Sequence, residues 1–245
     1  MQHNIAIMAK KILIVDDEQD ICEILRFNLQ QAGYDCSIAF NGRDAMRQLL
    51  ADTYDLILLD VMMPEMSGYE LAEMIRNDQL EMVPYDLPII FLTALGEEDD
   101  MLRGFRIGAD DYIAKPFSLK LLIARVEAVL KRNNRTWSTP PEPIHLPHVD
   151  GDANKGLVVR EDIYSASIDG EDLRLTKMEF ELLVFLIHHT GTIFSRSDLL
   201  KQVWPSCDMV LERTVDVTIT RLRKKLGDYK DHLKTKTGYG YYWEK

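Results

Sequence analysis

The sequence predicts an α/β domain built on a doubly wound, five-stranded parallel sheet, followed by an α+β domain of helices and antiparallel strands. Five short apolar runs alternate with helix-like segments up to residue 132, which is typical of parallel strands joined by helical crossovers. The strand centres, such as LILL at 56–59, are continuously apolar, as in strands buried on both faces. This alternation stops after residue 132, where a different pattern begins.

The first domain is predicted to span residues 1–132. Helical spacing follows its first strand, where Ile21, Ile24 and Leu25 recur and Gly33 is a stop signal. The predicted strands are KKILIVDD (10–17), YDCSIAF (34–40), DLILLD (55–60), LPIIFLTA (87–94) and ADDYIAK (109–115). The predicted helices are ICEILRFNLQQAG (21–33), GRDAMRQLLAD (42–52), GYELAEMIRND (68–78), EEDDMLRGFRIG (97–108) and LKLLIARVEAVLKR (119–132).

The second domain is predicted to span residues 153–245, after a proline-containing linker at 133–152 that has no periodicity and an early strand near its end. Antiparallel strands with a turn at Asp169-Gly170 come first. A helix then begins with the capping box of Thr176 and Glu179 and ends before a glycine. The remaining predicted elements are a helix capped by Ser195, the helix ERTVDVTITRLRKKL (212–226) and the hairpin KTKTGYGYYW (234–243).

The charge of the chain is divided unevenly between the two domains. The formal net charge is -11, which by itself argues against nucleic acid as a partner. Residues 1–132, however, carry 13 basic and 23 acidic side chains, whereas residues 133–245 carry 16 and 17. Within 213–236, eight basic residues stand against three acidic ones. Because a polyanion responds to local charge, this segment remains a candidate nucleic-acid surface.

Composition also narrows the class of protein and its location. No stretch of about 18 apolar residues is present, so we expect no transmembrane helix and no membrane partner. The first ten residues lack the features of a signal peptide. Three cysteines without metal spacing indicate reduced thiols, and we therefore expect a cytoplasmic protein.

Polar side chains stand where four of the predicted strands end. Asp16 and Asp17 end the first strand, Asp60 the third, Thr93 the fourth and Lys115 the fifth. Ligands of open parallel sheets bind at these ends. Any one of these residues alone is more simply a turn or helix cap, or a solvated lysine. Together they predict Mg²⁺ held by carboxylates, a phosphoryl group contacted by Thr93 and Lys115, and a carboxylate nucleophile.

The segments ILIVDDE, LILLDVMMPEMSG, IIFLTA and ADDYIAKPF, in this order, resemble the receiver domain of two-component response regulators over residues 10–132. The resemblance implies the sheet order 2-1-3-4-5 and a sensor histidine kinase as the phosphoryl donor. It implies that Asp60 is the phosphoacceptor and that Tyr112 is a switch aromatic that moves with Thr93. It further implies that Asp16, Asp17, Asp60 and the Met62 carbonyl hold Mg²⁺, and that Lys115–Pro116 is a cis peptide.

The same resemblance implies that phosphorylation favours a homodimer formed by the fourth helix, fifth strand and fifth helix. Asp110, Asp111, Arg125 and Arg132 match the positions of dimer salt bridges in the family. One further basic–acidic pair is replaced by Met101 and Leu121. We therefore expect an apolar contact there and a dimer that is less sensitive to salt than is usual.

The helix at 212–226 has one apolar face, formed by Val215, Ile219, Leu222 and Leu226. A polar, basic face of Thr214, Thr218, Arg221 and Lys225 is expected to point outward. A solvated amphipathic helix would show the same pattern. The preceding helix and the terminal hairpin favour a helix-turn-helix with a wing, whose second helix enters the major groove of double-stranded DNA.

Residues 157–245 resemble the winged-helix effector domain of OmpR/PhoB-type regulators, on the segments LTKMEFELLVFLIHHTGTIFSRSDLLKQVW and ERTVDVTITRLRKKL. The resemblance implies tandem DNA sites and the following contacts: Arg213, Thr214, Thr218, Thr220, Arg221, Arg223, Lys224, Lys236 and Thr237. Thr218, Thr220 and Thr237 replace the His or Arg of many relatives, so a different operator is expected. Trp204 and Trp243 are expected in the core. The loop PSCDMVLE (205–212) matches a loop that touches RNA polymerase in relatives, and it fits a plain connector equally well.

Functions other than that of a DNA-binding response regulator fit the sequence less well. A phosphatase with an Asp nucleophile would usually carry DxD on the first strand, whereas here the candidate nucleophile ends the third. A flavin-binding domain would need a Ser/Thr/Gly-rich phosphate loop after the first strand, and none follows. A protein-interaction module that is never phosphorylated would not need Asp17, Asp60, Thr93 and Lys115 together. We therefore expect a transcription regulator and not an enzyme.

Overall fold

The computed structural model describes residues 9–80, 82–94, 98–132, 139–147, 156–204 and 211–245. By its internal contacts the chain divides into two compact units. The first comprises Met1–Gly96 and Asp111–Leu130, and the second comprises Glu97–Asp110 and Lys131–Lys245. This grouping differs from the expected division at one helix, Glu98–Ile107, which falls in the second unit. Among the described residues, no helix has both the length and the apolar character needed to cross a membrane.

Five parallel strands form the sheet of the first unit, in the order β2-β1-β3-β4-β5. They are β1 (Lys11–Val15), β2 (Asp35–Ala39), β3 (Leu56–Asp60), β4 (Ile89–Thr93) and β5 (Asp111–Ala114). All five residues of β3 and of β4 are buried, which explains why these strands show no polar alternation. The predicted parallel sheet and its strand order are confirmed.

Five helices connect or follow these strands. They are α1 (Gln19–Gln31), α2 (Gly42–Ala51), α3 (Gly68–Arg76), α4 (Glu98–Ile107) and α5 (Leu119–Arg132). Helix α1 ends just before Gly33, which has a φ of 93° that favours glycine. Helix α3 begins with a capping box, in which the Ser67 N–H donates to Glu70 Oε2 at 2.8 Å.

The apolar core on one side of this sheet places the strand ends beside α1 and α5. Side chains of β1, β3, β4 and β5 pack there against Cys22, Leu25, Leu122 and Val126. Helix α3 begins very close to the end of β3, because a Cβ added at Gly68 would lie 2.1 Å from the carbonyl oxygen of Asp60. Glycine at this position therefore allows the backbone to approach Asp60 closely.

The second unit contains an antiparallel sheet of order β6-β7-β8-β9 and a separate β10-β11 hairpin. The strands are β6 (Ile144–Pro147), β7 (Gly156–Arg160), β8 (Ser165–Ile168), β9 (Glu171–Asp172), β10 (Leu233–Lys236) and β11 (Gly240–Trp243). Asp169 and Gly170 both have positive φ values, 52° and 87°, as a type I′ hairpin turn requires. Strand β6 lies inside the range assigned to the linker, so that range contains an ordered strand. Residues 133–138 and 148–152 lie outside the described residues.

Three further helices surround the core of the second unit: α6 (Lys177–His188), α7 (Arg196–Val203) and α8 (Glu212–Lys225). Helix α6 has the predicted capping box, since the Thr176 N–H donates to Glu179 Oε2 at 2.8 Å. The predicted apolar side chains of α8, Val215 to Leu226, are all buried in this core. Trp204 and Trp243 are also buried there, which confirms the expectation that both are core residues. The fold class predicted for each domain is thus confirmed.

A candidate acidic site and a candidate nucleic-acid interface

Lys115 joins two carboxylates at the carboxyl end of the parallel sheet. Its Nζ lies 2.7 Å from Asp16 Oδ2 and 2.7 Å from Asp60 Oδ1, and a third carboxylate oxygen, Glu18 Oε1, lies 3.6 Å away. Asp16 and Asp60 are both buried, whereas Asp17 is exposed beside them. The residues come from three strand ends that are far apart in the sequence, so the sheet topology assembles the site. The cis peptide at Lys115–Pro116 is confirmed.

Asp60 is held in a defined orientation by the turn that follows β3. Its Oδ2 accepts a hydrogen bond from the Met62 N–H at 2.8 Å, while its Oδ1 contacts Lys115. Burial raises the pKa of Asp60 above its usual value, and the hydrogen bond from Lys115 opposes this rise only in part. Burial lowers the pKa of Lys115, but its hydrogen bonds to Asp16 and Asp60 outweigh burial and leave that pKa raised. One lysine therefore serves several carboxylates, and the site has an excess of negative charge.

Thr93 and Tyr112 lie on the two neighbouring strands. Thr93 ends β4 and is buried, and its carbonyl accepts from the Lys115 N–H at 2.7 Å. Tyr112 is also buried, with its ring centroid 5.2 Å from that of Phe91. Its hydroxyl lies 3.4 Å from the hydroxyl of Tyr69. Asp60, Thr93 and Lys115 thus lie on neighbouring strands at one end of the sheet, whereas Tyr112 lies earlier in β5, opposite Phe91.

The donor atoms at this site suit Mg²⁺. Asp16 Oδ2 and Asp60 Oδ1 each lie 2.7 Å from Lys115 Nζ. The two carboxylate oxygens are therefore separated by at most twice that distance. Among the described residues, no three His, Cys, Asp or Glu side chains form a metal-binding group by themselves. Mg²⁺ does not need such a group, because it binds through one or two carboxylates and completes its shell with waters and phosphate oxygens. The Met62 N–H contacts Asp60 at this site, and the role of the Met62 carbonyl as a further oxygen ligand stays a prediction.

The residues expected at a dimer interface are placed as follows. Asp111 and Arg125 pair with each other inside the chain, with Arg125 Nη1 at 3.0 Å from both carboxylate oxygens, and both side chains are buried. Asp110 is buried, and Leu121 is exposed. The side chains of Met101 and Arg132 lie outside the described residues.

Helix α8 presents fewer polar side chains to solvent than its sequence suggests. Arg213, Thr220 and Lys224 are exposed, as are Lys236 and Thr237 in the hairpin. Thr214 and Thr218, by contrast, are buried, and the Thr218 hydroxyl donates to the Thr214 carbonyl at 2.9 Å. The expectation that the whole Thr214-to-Lys225 face points outward is therefore wrong for these two threonines. A hydroxyl that is satisfied by the preceding helical turn can be buried at little cost, which the spacing alone does not reveal.

A buried carboxylate, Glu179, organises the basic side of α8. Arg221 Nε donates to Glu179 Oε1 at 2.6 Å, and Lys225 Nζ donates to Oε2 at 2.7 Å. Burial would raise the pKa of Glu179, but the charges of Arg221 and Lys225 hold it below its usual value. Two of the basic residues of α8 thus fix this helix to the start of α6. From the sequence, Glu179 is predicted only as a helix cap, because its partners lie more than 40 residues away along the chain.

Arg223 connects α8 to the hairpin. Its Nε and Nη2 both donate to the Leu233 carbonyl, at 3.0 and 2.6 Å, and Nη2 also donates to Thr235 Oγ1 at 2.8 Å. These bonds engage a side chain that was expected to contact DNA. They also explain how the hairpin is held beside the helix.

A second polar cluster, formed by Arg196, Asp216 and Tyr241, joins α7, α8 and β11. Asp216 Oδ1 accepts from Arg196 Nε at 2.7 Å and from the Tyr241 hydroxyl at 2.6 Å. This cluster was not predicted from the sequence. The sequence carries only a weak signal for it, because Arg, Asp and Tyr are all common on protein surfaces. The cluster thus joins two helices and the hairpin through hydrogen bonds.

Comparison with known proteins identifies both halves of the chain. The family model for the response regulator receiver domain matches residues 12–127, and the model for the C-terminal domain of transcriptional regulatory proteins matches residues 170–243. The response regulator DrrB, an OmpR/PhoB homolog from Thermotoga maritima, is 33% identical. That alignment covers 97% of this chain and 100% of DrrB, with a TM-score of 0.49.

Two other solved structures are also similar. A mutant of RitR is 26% identical over 96% of this chain and 99% of its own, with a TM-score of 0.69. The receiver domain of a Francisella response regulator is 33% identical and covers 51% of this chain and 99% of its own, with a TM-score of 0.48.

Proposed function

The chain belongs to the two-component response regulators that join a receiver domain to an OmpR/PhoB-type DNA-binding domain, and we propose that it is activated by phosphorylation of Asp60. A sensor histidine kinase would donate the phosphoryl group. The phosphorylated receiver would dimerise, and the paired effector domains would bind tandem sites on double-stranded DNA and regulate transcription. The boundaries of 1–132, 133–152 and 153–245 for receiver, linker and effector domain are part of this proposal.

One observation carries the proposal: the ammonium group of Lys115 bridges buried Asp16 and Asp60 at 2.7 Å each. A structural ion pair would need one carboxylate, and this site gathers at least two around a single cation. The unbalanced negative charge favours a site that takes up a further cation. Burial raises the pKa of Asp60, and the contact with Lys115 opposes this rise only in part.

The chemistry follows from the atoms present. A carboxylate oxygen of Asp60 attacks phosphorus, the bond from phosphorus to the donor breaks, and the donor leaves with that electron pair. Lys115 would exchange its contact with Asp60 Oδ1 for a phosphoryl oxygen, so that its charge follows the developing anion. Thr93, at the end of the adjacent strand, would donate its hydroxyl to another phosphoryl oxygen. The hydrogen bond from the Met62 N–H would keep Asp60 oriented during this step.

Receiver domains generally bind Mg²⁺ at this position. In this chain Asp16, Asp17, Asp60 and the Met62 carbonyl would hold it. When bound, the ion supplies positive charge that offsets the carboxylates and the phosphoryl oxygens.

The signal would pass from the phosphoryl group through Thr93 and Tyr112 to the surface of α4, β5 and α5. In the described structure Asp111 pairs with Arg125 inside the chain. A dimer that uses these residues, together with Asp110 and Arg132, would therefore have to exchange internal partners for external ones. Met101 and Leu121 would add an apolar contact to the same interface.

The effector domain would place α8 in the major groove. Arg213, Thr220, Lys224, Lys236 and Thr237 are exposed and remain candidate contacts. Arg221 and Arg223 would contact DNA through the N–H groups that their bonds within the chain do not use. Thr214 and Thr218 would contact DNA only if they became exposed. Contact of the loop at 205–212 with RNA polymerase is also proposed, and residues 205–210 lie outside the described structure. Since its target is DNA, the protein would act in the cytoplasm.

The test is selection of duplexes from a random pool by the full chain, with and without treatment by acetyl phosphate and Mg²⁺. We expect enrichment of a tandem sequence that is stronger after treatment, and Asp60→Ala should lose the gain but not the basal binding. Asp35→Asn, a change to an exposed carboxylate at the opposite end of the sheet, is the matched control and should behave as wild type. No enrichment would contradict DNA binding. Equal enrichment by treated, untreated and Asp60→Ala protein would favour the phosphorylation-independent alternative.

A further inference from the structure

The tip of the β10-β11 hairpin exposes one aromatic side chain, Tyr239. It is 69% exposed, the highest value for an aromatic residue in the described part of the chain. Its hydroxyl has no hydrogen-bond partner among the described residues, whereas the hydroxyl of Tyr241, two residues later, is bound to Asp216. A singly exposed apolar residue is common on protein surfaces, so exposure alone decides nothing.

The base of the hairpin is fixed, which determines where the tip can be. Arg223 of α8 donates twice to the Leu233 carbonyl at the start of β10. On the other strand, Phe194 and Tyr241 exchange two backbone hydrogen bonds, each of 3.0 Å. The hairpin is thereby anchored both to α8 and to the segment before α7. The tip therefore extends from a base that is bonded to the helix that would occupy the groove.

The turn itself fixes how Tyr239 leaves the hairpin. The Tyr239 N–H donates to the Lys236 carbonyl at 2.9 Å, and Gly238 has a φ of 80°. Gly240 follows with a φ of 143°, and a Cβ there would lie 1.9 Å from the Phe194 carbonyl oxygen. Only glycine fits this close approach, so the backbone on both sides of Tyr239 has little freedom. A preorganised aromatic side chain is presented at low entropic cost.

The chemistry around Tyr239 suits a polyanion with apolar surfaces. Lys236 and Thr237 are exposed in the same turn, and Lys234 precedes them in β10. Lysine side chains pair with phosphates, while an aromatic ring packs against sugars or bases. A surface that binds a protein partner usually has a larger apolar patch, whereas the neighbours of Tyr239 in the turn are charged or small residues.

We propose that Tyr239 is a DNA-contacting residue whose ring packs against sugar or base surfaces in the groove beside the one that α8 enters. This inference rests on the proposed function. It assigns the apolar part of the wing contact to Tyr239 and the phosphate part to Lys236. Aromatic side chains at such positions act through stacking or partial insertion and not through net charge.

The test measures fluorescence anisotropy of the selected duplex with full-length, acetyl phosphate-treated protein at several salt concentrations. Tyr239→Ala should bind about tenfold more weakly with the same salt dependence, because a stacking contact is lost and no counterion is affected. Tyr239→Phe should bind within about twofold of wild type, because it keeps the ring. Lys236→Ala should instead lower the slope of log affinity against log salt by about one.

Ile163→Ala is the matched control, because Ile163 is exposed in the same unit but lies on the turn between β7 and β8. It should not change binding. Wild-type affinity for Tyr239→Ala would overturn this inference and leave the proposed function intact. Loss by Tyr239→Phe equal to that of Tyr239→Ala would also overturn it, since the hydroxyl would then be the contact. If the wild-type chain selects no duplex, the proposed function fails and the inference fails with it.

Discussion

The two units bury charge in opposite ways. At the end of the parallel sheet, one cation, Lys115, is shared by the buried carboxylates of Asp16 and Asp60. In the second unit, one buried carboxylate, Glu179, is shared by two cations, Arg221 and Lys225. Burial raises the pKa of Asp60 because the contact with Lys115 opposes it only in part, whereas the two partners of Glu179 lower its pKa despite burial. The first arrangement leaves a carboxylate incompletely neutralised, and the second satisfies it within the fold.

This difference separates a chemical site from a structural one. A carboxylate that is over-satisfied by its own chain stabilises the packing of α8 on α6. A carboxylate that is under-satisfied costs stability, and this cost can be recovered when a cation or a phosphoryl group arrives. Burial alone does not distinguish these cases, since Asp16, Asp60 and Glu179 are all buried. The number of oppositely charged partners that each carboxylate has distinguishes them.

The largest effect on stability is expected from Glu179→Gln. This change keeps the size of the side chain but removes the charge that pairs with Arg221 and Lys225. The free energy of unfolding of the second unit should fall by about 3 kcal/mol, because removing one partner of a buried ion pair leaves the other charges uncompensated. Urea unfolding monitored by tryptophan fluorescence measures this, since Trp204 and Trp243 are buried in that unit. An unchanged midpoint would show that the Glu179 cluster is not structural.

A smaller effect is expected from Arg223→Ala, with Lys224→Ala as the matched control. Arg223 makes three hydrogen bonds to the hairpin, whereas Lys224 is exposed. The loss of these charge-assisted bonds should cost about 2 kcal/mol of stability, and Lys224→Ala should cost almost nothing. The same urea experiment compares the two variants. If both lose equally, Arg223 does not anchor the wing.

Asp60→Asn should change stability in the opposite direction and make the first unit more stable at neutral pH. Because the pKa of Asp60 is raised in the folded state, the native protein holds this proton more tightly than the unfolded chain does. The contribution of Asp60 to stability is therefore present at low pH and is lost as the pH rises through its folded pKa.

The advantage of Asp60→Asn over wild type should thus be small near pH 4 and grow toward pH 7, where a few degrees in melting temperature are expected without Mg²⁺. Thermal melts followed by circular dichroism at both pH values test this. A variant that melts below wild type at pH 7, or that shows the same difference at both pH values, would mean that Lys115 fully compensates Asp60.

The smallest effect concerns a third arrangement of charge, the one-to-one pair of Asp111 and Arg125. If phosphorylation exposes this surface, an apolar contact between Met101 and Leu121 should help to hold the dimer. The Met101→Asp and Leu121→Asp double variant should then weaken the phosphorylated dimer several-fold in analytical ultracentrifugation. Wild-type dimerisation should also vary little with salt. An unchanged dimer in the double variant would remove these residues from the interface.

The sequence predicted most of the fold because local signals and topology agreed. Continuous apolar strands, the Gly33 stop and the Asp169-Gly170 turn are all local features, and the structure shows each of them. The acidic site could also be predicted from the sequence. The carboxyl ends of parallel strands must meet at one edge of the sheet, and the residues of the site occupy those ends.

What the sequence did not reveal depends on contacts between distant residues. The partners of Glu179, the wing anchor at Arg223 and the Arg196–Asp216–Tyr241 cluster all join separate elements. Helical spacing places Thr214 and Thr218 on a polar face, but it contains no information on whether a threonine satisfies its hydroxyl within the helix. The charge pattern of α8 therefore overstated how many of its basic residues are available to DNA.

The central claim is that Asp60 is an under-satisfied nucleophile, and intact-mass spectrometry tests it most directly. The full chain is incubated with acetyl phosphate and Mg²⁺, beside Asp60→Ala and the Asp35→Asn control. Wild type and Asp35→Asn should gain the mass of one phosphoryl group, and Asp60→Ala should gain none. No added mass on wild type, or the same added mass on Asp60→Ala, would contradict the account.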